Sequence, residues 1–269
     1  MNTFLSYDQF RLGKFKDRKP CIQTASTKAL SYFLFDEVDY FNYLFIKERS
    51  ILNSDLMPVI DEFIASGRDR IKIICKQSSI KFHRDLIDED VPIKKIVCVH
   101  KTWQVIGTTR GPSILQKVVS DSDIRLFTTI YLRGFESNAN NEDEVAQNFT
   151  LLHKSGETHF YFVTYRGKVA GICANHFNRN HVFLSACAVL APYRNLGLQK
   201  VAIQERLQLA HQQGYRRATS WAYANGISHH NLVKSGFTEY EIYGEAISKS
   251  LELLRAERGI LSEQACSSV

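Results

Sequence analysis

Several things are missing from this chain of 269 residues. No apolar run reaches the ~18 residues of a membrane span, so no membrane partner is expected. The opening stretch MNTFLSYDQFRLGKFKDRK carries charge throughout and lacks a signal-peptide core. The expected location is therefore the cytoplasm. No internal repeat and no low-complexity tract stands out. The six cysteines (Cys21, Cys75, Cys98, Cys173, Cys187, Cys266) form no CxxC pair and stand at no Cys/His metal spacing, so no metal is expected. Most sit in apolar stretches such as IKIICK, KIVCV and LSACAV, where buried reduced thiols are expected. A catalytic Cys187 is the sharper alternative. The charge excess is mild, +6, and no cluster of bases with interleaved aromatics marks a nucleic-acid binder. A polyanionic small ligand suits the same sign. What is present is ordinary for a globular chain: 44% hydrophobic and 23% charged residues, enough for one large or two small domains.

Residues 1–27 read as irregular. The aromatic-rich KALSYFLFDEVDYFNYLFIKE (28–48) reads as strand-like pieces. DLMPVIDEFIASG (55–67) reads as a helix, with Val59, Ile60, Phe63 and Ile64 on one stripe and Gly67 as its stop. RIKIICK (70–76) and IKKIVCVHKTW (93–103) read as strands separated by a polar loop. TTRGPS (108–113) is the linker candidate, which places residues 1–112 in an N-terminal α/β extension and 113–269 in a second domain.

In that second domain, 121–135 reads as a helix capped by Asp121 or Ser122, and 141–156 as a helix ending at Gly156. THFYFVTY (158–165), VAGICANHF (169–177) and HVFLSACAVL (181–190) read as antiparallel strands joined by RGK and NRN. A long helix over 198–213, a strand over 217–224 and a short helix before Gly236 complete the pattern.

The corner between the third strand and the long helix reads Arg194-Asn195-Leu196-Gly197-Leu198-Gln199-Lys200. A helix start offers unpaired N–H groups and the positive end of the dipole, which suit an anion. Gly197 permits close approach or positive φ, and Arg194 and Lys200 add charge. Together they form a candidate diphosphate cradle. A plain surface turn is the alternative, since Arg-x-x-Gly is common.

This order of features resembles the GNAT N-acetyltransferase superfamily, which binds acyl-coenzyme A. The family signature Q/R-x-x-G-x-G/A stands here as Arg194-Asn195-Leu196-Gly197-Leu198-Gln199, with Gln199 in place of the last small residue. A subset of the family carries Gln there, a helix that continues with an arginine (here Arg206), and a later S-x-x-N-x-x-x-x-G-F. This chain has Ser228, Asn231, Gly236 and Phe237 at those positions.

The resemblance implies an α+β fold with a mixed, mostly antiparallel central sheet flanked by helices. It also implies a small N-terminal α/β extension, readable as a degenerate GNAT-like half. It implies that the backbone of Val189 and Leu190 meets the pantetheine arm and thioester. Arg194, Asn195, Leu196, Gly197, Leu198, Gln199 and Lys200 wrap the diphosphate, and Asn231 points toward the cofactor. Acetyl-CoA is then the co-substrate, and the chain acts as a monomer or homodimer.

Acyl transfer to an amine needs a neutral amine, a polarised thioester carbonyl and a proton for the departing thiolate. The Val189 N–H is the candidate carbonyl donor. The family's usual acid is a tyrosine at the position of Leu232, which cannot donate a proton. Tyr223 and His229 are the nearby substitutes, and Glu136 is a candidate for the substrate cleft. His176, His181 and Ser185 are candidates for a base acting through water, with a structural role as the favoured alternative. The expected function is acyl-CoA-dependent N-acyl transfer to a small or amino-acid-like amine. A protein amine as acceptor, or a non-catalytic acyl-CoA-binding module, are the alternatives.

Overall fold

The computed structural model describes residues 3–16, 19, 21–35, 39–104, 112–135 and 142–266. In chain order the elements begin with helix α1 (Thr3–Lys16), strands β1 (Gln23–Ser26), β2 (Leu30–Leu34) and β3 (Tyr43–Ile46), and helix α2 (Asn53–Ala65). Strands β4 (Lys72–Lys76), β5 (Lys94–Thr102) and β6 (Leu115–Lys117) follow, then helices α3 (Asp121–Gly134) and α4 (Glu142–Lys154). Strands β7 (Thr158–Tyr165), β8 (Lys168–Asn178) and β9 (His181–Val189) lead into helix α5 (Leu198–Gln212). Strand β10 (Arg217–Tyr223), helix α6 (Ile227–Lys234), strand β11 (Thr238–Ile247) and helix α7 (Leu251–Cys266) close the order.

These elements divide into two compact units. The first is Met1–Asp17 with Val97–Tyr240, the second Arg18–Ile96 with Glu241–Val269. The boundary expected at 112/113 thus falls inside the first unit, and residues 108–111 of the linker candidate lie outside the described residues.

In the first unit the strand order is β5-β10-β9-β8-β7-β6. β6, β7, β8 and β9 pair antiparallel, and β9 pairs parallel with β10. The tight β7–β8 turn has both Arg166 and Gly167 at positive φ, as a two-residue hairpin turn requires. One face of this sheet buries Val182, Leu184, Ile203, Leu207 and Ala210 in a common core, so helix α5 packs on β9. In the second unit the order is β1-β2-β3-β4-β11. β1, β2 and β3 are antiparallel, β3 and β4 parallel, and β4 and β11 antiparallel. Leu56, Val59, Ile60 and Phe63 of α2 join Leu44, Ile73 and Cys75 in its core.

The two units therefore repeat one topology: three antiparallel strands, a helix, then a strand parallel to the third. The order β7-β8-β9-α5-β10 matches β1-β2-β3-α2-β4. One further strand flanks the last strand of each repeat: β5 stands beside β10, and β11, from the second stretch of its unit, beside β4. No repeat is visible in the sequence because the topology, not the residue pattern, is duplicated.

The structure corrects the sequence reading in other places. Residues 3–16, read as irregular, form α1; its buried Tyr7, Asp8, Leu12 and Phe15 fall on one stripe, which Gly13 and the surrounding basic residues disguise. The cap of α3 is Ser120 rather than Asp121 or Ser122. Its hydroxyl accepts from the Asp123 N–H, and the Asp123 carboxylate accepts from the Ser120 N–H, a capping box. Strands β6 and β11 and helix α7 had no counterpart in the reading.

Candidate active site

The parallel pair β9/β10 is in register at Val182 with Ala218 and at Phe183 with Thr219. Further on, the Ser220 hydroxyl donates to the Leu184 carbonyl at 2.8 Å. Toward their C-terminal ends the strands carry no further pairing among the described residues. The cause lies on the other edge of β9. Its register with β8 shifts between Cys173↔Cys187 and Ala174↔Ser185, so Ala186 is an extra residue. Such a bulge bends its strand and strengthens the twist. Beyond it, Leu190 N–H donates to the Ala170 carbonyl at 2.9 Å. Amides alternate along a strand, so the neighbouring Val189 N–H and C=O face the opened edge. The Val189 carbonyl accepts from Arg194 Nε at 3.3 Å.

The corner follows directly. Asn195 (φ 65°) and Gly197 (φ 74°) are both left-handed, and Gly197 is the N-cap residue of α5, with no side chain capping the helix. Beyond the glycine and its two chain neighbours, no heavy atom lies within 4 Å of where a Gly197 Cβ would stand. The glycine thus leaves open space against the first turn of the helix, whose N–H groups face outward. Arg194, Asn195, Leu196, Gly197 and Lys200 are exposed around it, and Leu198 is buried beneath. An oxyanion-rich diphosphate fits this donor set: helix N–H groups, two cationic side chains and no carboxylate among the corner residues.

Gln199 is the hub of the corner, a role the sequence reading missed. Its Nε2 donates to Ser228 Oγ at 3.0 Å, and its Oε1 accepts from Asn231 Nδ2 at 2.7 Å. Asn231, expected to point toward the cofactor, donates from Nδ2 to Gln199. The Cys187 thiol is hydrogen-bonded by the side chains of Gln199 and Arg206, yet burial outweighs both and raises its pKa. Burial likewise raises Cys173 and pushes Cys75 up to about 11. These thiols stay protonated near neutral pH, which argues against a nucleophilic Cys187.

The expected proton-transfer residues fare differently. Tyr223 ends β10, past its last pairing with β9, and is 41% exposed. Its ring meets Trp221 edge-on at 5.8 Å. His229 is buried. Its Nδ1 accepts from the Asn225 N–H at 3.2 Å and its Nε2 lies 2.9 Å from Glu239 Oε1. Both nitrogens are thus engaged, which makes Nε2 the protonated one and fixes the turn after β10. Leu232 is buried in the core with Phe237. Glu136 lies outside the described residues. Among the described residues no group of three or more His, Cys, Asp or Glu side chains is placed to hold a metal, and no helix is long and apolar enough to cross a membrane.

Residues 124–237 match the model of the acetyltransferase (GNAT) family. No curated protein matches the chain. Solved structures do. A GCN5-related N-acetyltransferase from Sphaerobacter thermophilus is 12% identical, with a TM-score of 0.61 over 83% of this chain and 81% of that one. A GCN5-related N-acetyltransferase from Kribbella flavida is 10% identical, with a TM-score of 0.59 over 90% and 95%. A conserved protein of unknown function from Staphylococcus epidermidis ATCC 12228 is 11% identical, with a TM-score of 0.59 over 88% and 97%. At such identities the likeness is one of fold, and it extends far beyond the matched segment. The family match thus covers residues 124–237, and over the rest of the chain the likeness to these acetyltransferases is one of fold.

Proposed function

We propose that the chain is an acetyl-CoA-dependent N-acyltransferase that transfers the acetyl group directly to the amine of a small or amino-acid-like molecule. One observation carries this reading: β9 and β10 part immediately before a left-handed glycine corner at a helix start, so an extended thioester arm and its diphosphate have adjoining places. When bound, acetyl-CoA supplies an activated acyl group. The chain's own residues do the rest. Arg194 to Lys200 hold the diphosphate, and the Val189 N–H, turned to the opened edge, donates to the carbonyl oxygen as negative charge develops there. Tyr223, at the open end of β10, donates a proton to the departing thiolate. His229 fixes the turn that follows Tyr223, whose carbonyl accepts from the Gly226 N–H at 3.1 Å.

The second unit is, on this proposal, a degenerate half. Its parallel pair stays in register from Tyr43↔Lys72 to Ile46↔Cys75, and Lys47–Leu52 before α2 contains no glycine. It has neither the parted strands nor the left-handed corner.

Burial of Leu232, where the family's usual acid would stand, favours a non-catalytic acyl-CoA binder as the second reading. Incubation with acetyl-CoA and a panel of amines, with free thiol as the readout, tests both. Thiol release with one amine class supports the transferase. Binding without release across the panel supports the binder.

A further inference from the structure

We infer that Arg206 is the positioning residue of this site: it holds the β9 bulge and through it aims the Val189 amide. This role rests on the acyltransferase reading. Arg206 is 1% exposed, among the largest fully buried side chains. Its Nε donates to Asn175 Oδ1 at 2.8 Å, and its NH2 group donates to the Ser185 carbonyl at 2.8 Å and to the Ala174 carbonyl. Asn175 Nδ2 returns a bond to the Arg206 carbonyl at 3.3 Å. Ala174 and Ser185 are the register pair on one side of the bulge, and Cys187, also bonded to Arg206, stands on the other.

The chemistry of a bulge explains why a guanidinium is there. An extra residue disrupts the ladder, and a buried carbonyl without a partner is costly. One planar guanidinium reaches the Asn175 oxygen through Nε and two carbonyls on adjacent strands through a single NH2 group, a set that a lysine ammonium cannot meet with the same geometry. A buried cation bonded to neutral oxygens is itself expensive to desolvate, and an apolar side chain would fill the same stripe of α5 as Leu198 and Ala202. The arginine therefore serves the shape of β9 better than it serves burial. The same helix carries Gln199, so α5 holds the bulge at one point and the corner at another, with Cys187 touched from both. Only three residues separate Ser185 from Val189, so a change in the kink re-aims the amide directly.

The test uses acetyl-CoA labelled with ¹³C at the thioester carbonyl, bound to the full chain and to the Arg206→Met, Arg206→Lys and Asn175→Leu variants. In the parent, the bound carbonyl resonance should move downfield of free acetyl-CoA, the mark of a hydrogen bond to its oxygen. In the variants, acetyl-CoA affinity should stay within about threefold, because the corner is untouched. The carbonyl resonance should return toward the free value, and turnover with a responsive amine should fall about 10²-fold, the loss attached to one oxyanion donor. A bound variant that keeps the parent resonance overturns the positioning role and leaves the acyltransferase reading standing. A parent that fails to bind acetyl-CoA overturns that reading and the role with it. If none of the three variants folds by circular dichroism, Arg206 is a folding residue and the positioning role is overturned.

Discussion

Asn231 donates to Gln199 across 2.7 Å, and with the Gln199–Ser228 bond it ties helix α6 to the first turn of α5. The S-x-x-N and R-x-x-G-x-Q elements, about thirty positions apart in sequence, meet in one amide–amide contact. Removing either partner should loosen the corner by the same route. We expect Gln199→Ala and Asn231→Ala each to weaken acetyl-CoA binding, and the double variant to be no worse than the more severe single one. Calorimetric titration of all four proteins gives the coupling, for which about 1 kcal/mol is expected. Strict additivity would mean the contact plays no part in holding the corner.

Gly197 separates strain from charge. With φ at 74° and open space where a Cβ would stand, Gly197→Ala should cost about 1–2 kcal/mol through the left-handed backbone alone. Gly197→Glu adds a carboxylate where the diphosphate would lie. Both should fold, as judged by circular dichroism. Acetyl-CoA should raise the melting temperature of Gly197→Ala and leave that of Gly197→Glu unmoved. A normal shift in the Glu variant would place the ligand elsewhere.

Tyr223→Phe keeps the ring against Trp221 and removes only the hydroxyl. Turnover should fall toward the low end of the ~10²–10⁴-fold range of general acid–base catalysis, with acetyl-CoA affinity little changed. Turnover within twofold of the parent from pH 6 to 9 would make Tyr223 a structural aromatic.

One acetyl-CoA should bind per chain. The β3/β4 pair is in register to its end, so the second unit offers no slot. Equilibrium dialysis at saturating acetyl-CoA should give a stoichiometry near one, and a value near two would show that the second unit also binds.

Acid should destabilise the protein through its buried histidines. His176 lies against Tyr7 and Phe10, and burial, assisted by the nearby charges of His181, Arg11 and Lys14, lowers its pKa to about 4. Burial also lowers His83, His159 and His181. An unfolded imidazole titrates near ~6.5. Between these values the unfolded chain holds a proton that the folded chain does not. Stability present above about pH 6.5 is therefore lost as the pH falls toward 4. His176→Phe should flatten the drop in melting temperature between pH 7 and pH 5. An unchanged slope would assign the effect to the other three.

The sequence was readable where one physical signal acted alone. THFYFVTY marks β7 at Thr158–Tyr165, and the RGK turn marks its hairpin with Lys168 already in β8, because a strand rich in aromatic and β-branched residues and a positive-φ turn each demand specific residue types. Gly197 was readable for the same reason. Arg206 was not, although it stands on the stripe of Leu198 and Ala202: a charge on a core stripe has no local explanation, and its partners, Ala174 and Ser185, are about thirty and about twenty positions away. The Asn231–Gln199 bond is not legible either, because spacing shows neighbours along a helix, not the side chain that faces it from another. The α1 stripe failed because buried Asp8 reads as a surface residue until its contact with Arg11 is seen.

The division of each unit into two stretches of sequence has a consequence for how the molecule comes into being. The first unit needs α1, whose Tyr7 donates to Ser185 from 178 residues away, and the second needs β11, which is made after the whole of the first. The strands of the first unit, β5 to β10, have all been made once the chain reaches Tyr223, whereas the sheet of the second waits for β11, which ends at Ile247. A gene trimmed to the matched segment 124–237 would encode β9, the corner and α6, but neither the Tyr7 ring that covers His176 nor the β5 strand beside β10. The sheet of the second unit is thus begun first and finished last: its strand β1 precedes the long stretch of the first unit, and its strand β11 follows it.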